Sequence, residues 1–270
     1  MDNPIEPEAK THLPTVAAIA VVAYFLSAFI HEAIGHGLTV FLLGAKVKQI
    51  TNTFVDTDDT GLSAWAIRAV SAGGCAANFL FGSLFLFWLR QKKGGSPHFR
   101  YFLWLTGVIN FFKGSGYMLA LSFASFGDWH DFLQGLENPI VWQLGLTAFG
   151  ATVYMGTFFY AIRSIEEFLG RENRRRCAAG LTWTPYLVGG VVNSLAAALG
   201  PGGLSAVFYS AALATFGGTW LLVWVPTAVG RPRPTTSDAP QTPDRSAVWM
   251  VLGLAGLAVY FLFFGPGLIR

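Results

Sequence analysis

Val16-Ala-Ala-Ile-Ala-Val-Val-Ala-Tyr-Phe-Leu-Ser-Ala-Phe-Ile30 runs without a break into His31-Glu32-Ala33-Ile34-Gly35-His36. From Val16 to Ile30 the only polar side chain is Ser27, and the apolar run extends from about residue 15 to 44. A hydrocarbon core about 30 Å thick needs roughly 20 apolar residues of helix. The stretch therefore reads as a transmembrane helix that carries two histidines and a carboxylate inside it.

The rest of the chain agrees. Of its 270 residues, 53% are hydrophobic and only 12% are charged, against about 25% charged in soluble domains. So little charge does not cover so much apolar surface in water, whereas a bilayer requires no such cover. Six further segments read as spans: 63–89, 101–126, 139–162, two helices within 181–230, and 246–269. Residues 181–230 hold no charge at all, and Gly200-Pro201-Gly202-Gly203 breaks them near the middle, because Pro lacks a donor and Gly favours turns. The expected architecture is an all-α, polytopic membrane protein with about seven transmembrane helices. Its parts are an N-terminal tail (1–14), a three-helix membrane core (15–135), three further helices (136–230), a Pro-rich polar linker (231–245) and a last helix (246–270).

Orientation follows from the basic residues. Lys10, Arg90, Lys92, Lys93, Arg100, Arg163, Arg171, Arg174, Arg175, Arg176, Arg231, Arg233 and Arg245 fall on one side of this topology, and Lys46, Lys48, Arg68 and Arg270 on the other. The positive-inside rule places the N-terminus in the cytoplasm and the C-terminus outside. The net charge of +3 is thus a matter of topology, and nucleic acid is not an expected partner; membrane lipids are. The run Arg171 to Arg176 reads as a topology determinant, with anionic headgroups as its alternative ligand. Cys75 and Cys177 give no disulfide framework. The first apolar run is too long for a signal-peptide core and lacks a basic leader, so it is expected to be retained.

Glu32 and Lys113 are the charges that lie well inside predicted spans. An intramembrane ionisable group costs at least ~3 kcal/mol and is a functional candidate by default. Glu32 stands within HExxGH. The ordinary zinc helix is HExxH, with histidines at i and i+4 on one face and Glu as general base. On a regular helix, histidines at i and i+5 diverge by about 140°. Both reach one metal only if the helix widens, as in a π-bulge, and Gly35 is the place for it. His31 and His36 are thus expected metal ligands, Glu32 the catalytic base and zinc the cofactor. His31 stands roughly 15 residues into its helix, about 23 Å at 1.5 Å per residue, which puts the site in the outer part of the bilayer. The third ligand must come from another helix on that side. The loop after the third span offers Asp128, with His130 and Asp131 as alternatives. Asn110 and Lys113 share a helix face at i, i+3, and with Asn78 they are candidate substrate-binding residues. Packing between helices is the competing role for Asn78, and a structural pair with Glu32 the competing role for Lys113.

The motif resembles that of the soluble dipeptidyl peptidase III family, which holds zinc with both histidines of HExxGH. As a membrane protein, the chain resembles the site-2 protease family of intramembrane zinc metalloproteases over residues 20–135. The likeness rests on the motif late in the first helix, on Gly44-Ala45-Lys46-Val47-Lys48-Gln49-Ile50 after it, and on Gly73-Gly74-Cys75-Ala76-Ala77-Asn78-Phe79-Leu80. The last is similar to the family's AGPxxNF segment, with Cys75 in place of proline. The resemblance also implies a third ligand from an aspartate that ends a later helix. The family's asparagine–proline–LDG stretch is replaced here by Asn110-Phe-Phe-Lys-Gly-Ser-Gly-Tyr-Met and then Gly127-Asp128-Trp129-His130-Asp131. The implied activity is zinc-dependent hydrolysis of a peptide or membrane-protein substrate within or beside the bilayer. The rival readings are a non-proteolytic zinc hydrolase acting on lipid or amide, and a transporter or binding protein using Glu32 and Lys113 as an ion relay. A di-iron oxygenase is weaker, since it needs several histidine boxes and this chain has five histidines in all.

Overall fold

The computed structural model describes residues 11–91, 94–230 and 241–268. The first ten residues, Lys92, Lys93, most of the Pro-rich linker (231–240), Ile269 and Arg270 lie outside the described residues. What is described is almost all helix. α1 spans Leu13–Leu42, α2 Ala64–Gln91 and α3 Pro97–Leu121. A short α4, Asp128–Leu133, follows, then α5, Pro139–Phe168, with a 3-10 last turn, and α6, Arg174–Ala198. α7 is a broken helical run over 203–228, and α8 spans Ala247–Phe264.

Four of these helices, α1, α2, α5 and α8, are long and apolar enough to cross a membrane. Their outward faces are apolar: Leu144, Phe159, Val251 and Leu262 are each more than half exposed. α3 and α6 are equally long, 25 residues each, but carry more polar groups. α3 is the centre of the bundle. It packs on α1, α2 and α5, and from Tyr101 to Asn110 every residue is buried. Its polar side chains face protein on all sides. The helix starts and ends earlier than residues 101–126 suggest, with Pro97 in its first turn, where the missing N–H costs nothing.

The segment after α1 folds into a hairpin. β1 (Lys46–Ile50) pairs antiparallel with β2 (Val55–Asp58), Val47 opposite Thr57 and Ile50 opposite Val55, with a bulge between Val47 and Gln49. On its other edge Ile50 exchanges two backbone hydrogen bonds with Leu268, at 2.8 and 2.9 Å. At the opposite end of the bundle, Arg100 pairs with Glu167 and Arg174 with Glu166, tying α3 and α6 to the last turn of α5. Most of the described basic residues gather at this second end, away from the hairpin.

The α1–α2 crossing is a close backbone contact. A Cβ on Gly35 would lie 2.5 Å from the Gly74 Cα and 2.8 Å from the Gly73 carbonyl oxygen, backbone atoms that have no room to yield. Gly35→Ala is therefore expected to cost about 1–3 kcal/mol of stability through overpacking. Gly156→Ala, at a site with nothing within 4 Å, should leave the melting temperature in detergent unchanged. A Gly35→Ala protein melting with the wild type would overturn the account of this crossing.

Candidate metal centre

α1 does not stay regular. From Ile30 to Gly37 it is a π-helix, and the Leu38 N–H closes a bond to Ala33 five residues back. That widening was expected from the histidine spacing, and its effect is to bring His31 and His36 onto one side, ring centroids 4.9 Å apart. The Gly35 carbonyl within the widened turn accepts from the Thr39 hydroxyl at 2.6 Å.

The third expected ligand arrives from the far end of α3. That helix ends at Leu121, so Asp128 does not close it; Asp128 instead opens α4, after Gly127 turns the chain with a φ of 84°. α4 is held on α2 by Arg68, whose guanidinium donates to the Phe132 and Gln134 carbonyls at 3.1 and 2.7 Å. The result places Asp128 Oδ2 3.3 Å from His31 Nε2 and 3.4 Å from His36 Nε2. Ligand atoms of the three residues all lie within 4.8 Å of one another. Direct charge-assisted bonds are shorter, about 2.7–2.9 Å. Ligands about 2.0–2.1 Å from a tetrahedral zinc stand roughly 3.4 Å apart, so the spacing suits an ion between them. Burial opposes charge on Asp128, yet His36 and His31 hold its carboxyl well below the usual carboxylate range. His130 and Asp131 are not part of the group.

Both imidazoles are anchored from behind. His36 Nδ1 donates to the Val70 carbonyl at 2.8 Å, and His31 Nδ1 lies 2.6 Å from Asn78 Oδ1. Such partners fix ring orientation at metal sites. Gly74 keeps the space beside the ligand atoms clear. A Cβ there would come within 2.6 Å of both Nε2 atoms. No sequence pattern announced the contacts of Val70 or Arg68, because both depend on how α2 lies against its neighbours.

A cavity of about 480 Å³ opens on the group, at the hairpin end of the bundle. Its lining includes Glu32, Tyr117, Asp131, Thr53 to Val55, Thr57, Leu121 and, from the Gly-rich break, Gly202, Ser205 and Ala206. Glu32 is 5% exposed and makes no hydrogen bond or ion pair among the described residues. Tyr117, which the sequence did not single out, packs its ring 5.2 Å from that of His31. Asn78, Asn110 and Lys113 do not line the cavity. Asn78 and Asn110 are fully buried behind His31, and Lys113 lies in the bundle interior without an ion pair to Glu32 among the described residues.

Compared with family models, curated proteins and solved structures, the chain matches none. The functional argument therefore rests on the geometry of this site.

Purified protein is expected to hold about one zinc per chain. His31→Ala, His36→Ala and Asp128→Ala should each lose most of it, and Gly74→Ala should lose it through its Cβ. Glu32→Gln, His130→Ala and Asp131→Ala should keep it. Metal analysis after a chelator wash reads this directly, and full zinc in the histidine variants would place the metal elsewhere.

Proposed function

We propose that this chain is a multi-pass membrane zinc metalloprotease, resembling the site-2 protease family, that hydrolyses a peptide bond within or beside the bilayer. The observation that carries the reading is the convergence of His31, His36 and Asp128 at metal-ligand spacing beside a cavity-lining Glu32 that is unpaired among the described residues. In this reading α1, α2 and α3 form the metalloprotease core, and α3, α6 and α7 cross the bilayer together with the four apolar helices. α3 tolerates its polar residues because it meets protein, not lipid.

Zinc at this site would supply a Lewis acid that activates water and polarises the scissile carbonyl. Glu32, which makes no hydrogen bond or ion pair among the described residues, takes the attacking water's proton and passes it to the leaving amine. His31, His36 and Asp128 would hold the metal, beside the cavity that admits water and substrate. The outer edge of β2 has no strand partner among the described residues, and Thr53 to Val55 and Thr57 line the cavity. An extended peptide laid along that edge gains backbone hydrogen bonds and passes the metal. This favours peptide over the lipid or amide alternative, which shares the metal but has no use for a strand edge. The ion-relay alternative lacks a Glu32–Lys113 contact among the described residues.

The basic end of the bundle faces the cytoplasm, so the N-terminus is cytoplasmic, the C-terminus is not, and the cavity opens to the non-cytoplasmic side. Its substrate then lies in the outer leaflet or on an exported segment.

Two measurements test this. Wild-type protein should cleave members of a library of unstructured peptides, read by mass spectrometry. Glu32→Gln should lower that rate by about 10²–10⁴-fold with zinc retained. Cleavage of phospholipid instead moves the assignment to the lipid alternative, and no cleavage of either sinks the hydrolase reading. For sidedness, single cysteines at Thr60, Glu137 and Gly94 are placed in a Cys75→Ala/Cys177→Ala background. The first two should react with an impermeant reagent on intact cells and the third should not; the reverse pattern inverts the topology.

A further inference from the structure

Asn110 lies in the middle of α3 and is fully buried. Its Nδ2 donates to the Thr106 carbonyl, one turn back, at 2.8 Å. A backbone carbonyl accepts and never donates, so the amide nitrogen must be the end that faces it. Asn110 Oδ1 therefore points the other way, where Asn78 Nδ2 donates to it at 2.6 Å. The same Asn78 Nδ2 lies 3.5 Å from the Ser27 carbonyl, a second acceptor of matching sense. With its nitrogen committed, Asn78 presents Oδ1 to His31 Nδ1 at 2.6 Å. An amide oxygen only accepts, so the hydrogen of neutral His31 sits on Nδ1. Its Nε2 then keeps a lone pair, aimed at Asp128 and His36.

We infer that Asn78 and Asn110 form a relay that sets the tautomer and ring orientation of His31 for metal binding. The relay starts at a group that has no alternative orientation, the Thr106 carbonyl, and each amide passes that sense on. These two residues are positioning residues: they meet the metal only through His31. The inference rests on the metal reading above and adds to it a reason for two fully buried asparagines between α2 and α3. A pair serving only to join helices would have no fixed sense toward His31, and the tautomer would be left to chance.

The test is zinc affinity, measured by competition with a chromophoric chelator on full-length protein in detergent, with the melting temperature of the metal-free form as the check on folding. Asn78→Leu keeps the number and branching of the side-chain heavy atoms and removes the acceptor; it should weaken zinc binding about 10–100-fold, the range for loss of such partners. Asn110→Leu leaves the Asn78 amide free to turn its nitrogen toward His31 and should weaken binding as well. Asn78→Asp, in its ionised form, presents acceptors only in either orientation. In the double variant Asn78→Asp/Asn110→Leu, affinity should therefore return to within a few-fold of wild type. Should Asn78→Leu fail to fold, the Asn110→Leu protein and the double variant decide the matter. Wild-type affinity in Asn110→Leu, or an equal loss in Asn110→Leu and the double variant, overturns the relay while leaving the metal centre intact. A wild-type protein that binds no zinc overturns both.

Discussion

α1 and α2 cross backbone to backbone at Gly35, Gly73 and Gly74, where a side chain would strike main-chain atoms at the first two and the imidazoles of His31 and His36 at the third. The rest of the centre depends on that approach. It brings the Val70 carbonyl to His36 and Asn78 to His31, and it leaves Gly74 flush against both ligand nitrogens. The widened turn of α1 lies at the same contact. A π-helix gives up the close packing of the ordinary helix, and here the neighbouring helix presses directly on its glycine. The two departures from regularity sustain each other: one turns the histidines to a common side, the other holds them there.

A second constraint is the treatment of polarity inside an apolar bundle. Arg100, Asn110 and Lys113 would each be costly against hydrocarbon. All sit on α3, the most buried of the long helices, and α1, α2, α5 and α8 are the ones long and apolar enough to cross a membrane. The ends are treated differently. Arg100 and Arg174 are neutralised by Glu167 and Glu166, whereas the deep Asn110 is satisfied by the Thr106 carbonyl of its own helix and by another amide. Neutral hydrogen bonds avoid the desolvation that a buried ion pair would incur.

The sequence made the helices and the two histidines legible for a physical reason: both signals are local. An apolar run announces a helix within 20 residues, and the i, i+5 spacing demands a widened turn whatever surrounds it. Mean hydropathy, however, counts side chains without regard to what they face. It marks α3 as less apolar than α1, α2, α5 and α8, but it does not tell that α3 is covered by protein. Asp128 stands 97 positions from His31 in the chain, and only the packing of α4 through Arg68 selects it over His130 and Asp131. The hydrogen bonds of Asn78 and Asn110 were not legible for a related reason. Spacing, such as i, i+3 for Asn110 and Lys113, gives the face of a helix but not which side of an imidazole that face meets.

The second half of the chain, which carried no motif, acquires a part through the hairpin. Asn52, in the turn between β1 and β2, is buried and donates to the backbone carbonyl and side-chain oxygen of Asn193 on α6, at 2.9 and 3.0 Å. The same Asn193 oxygen accepts from the fully buried Tyr260 of α8 at 2.6 Å. Gln49 donates to the Pro266 carbonyl, and Ile50 pairs with Leu268. An isolated two-stranded hairpin is marginal in water. This one is fastened along β1 and at its turn by helices outside the three-helix core, which leaves the β2 edge toward the cavity as its unpaired side. The Gly200–Gly203 break brings Gly202, Ser205 and Ala206 to the opposite wall. α6, α7 and α8 thus shape the way to the His31–His36–Asp128 group, to which they contribute no residue, and a change in how they pack would alter access to it without touching its members.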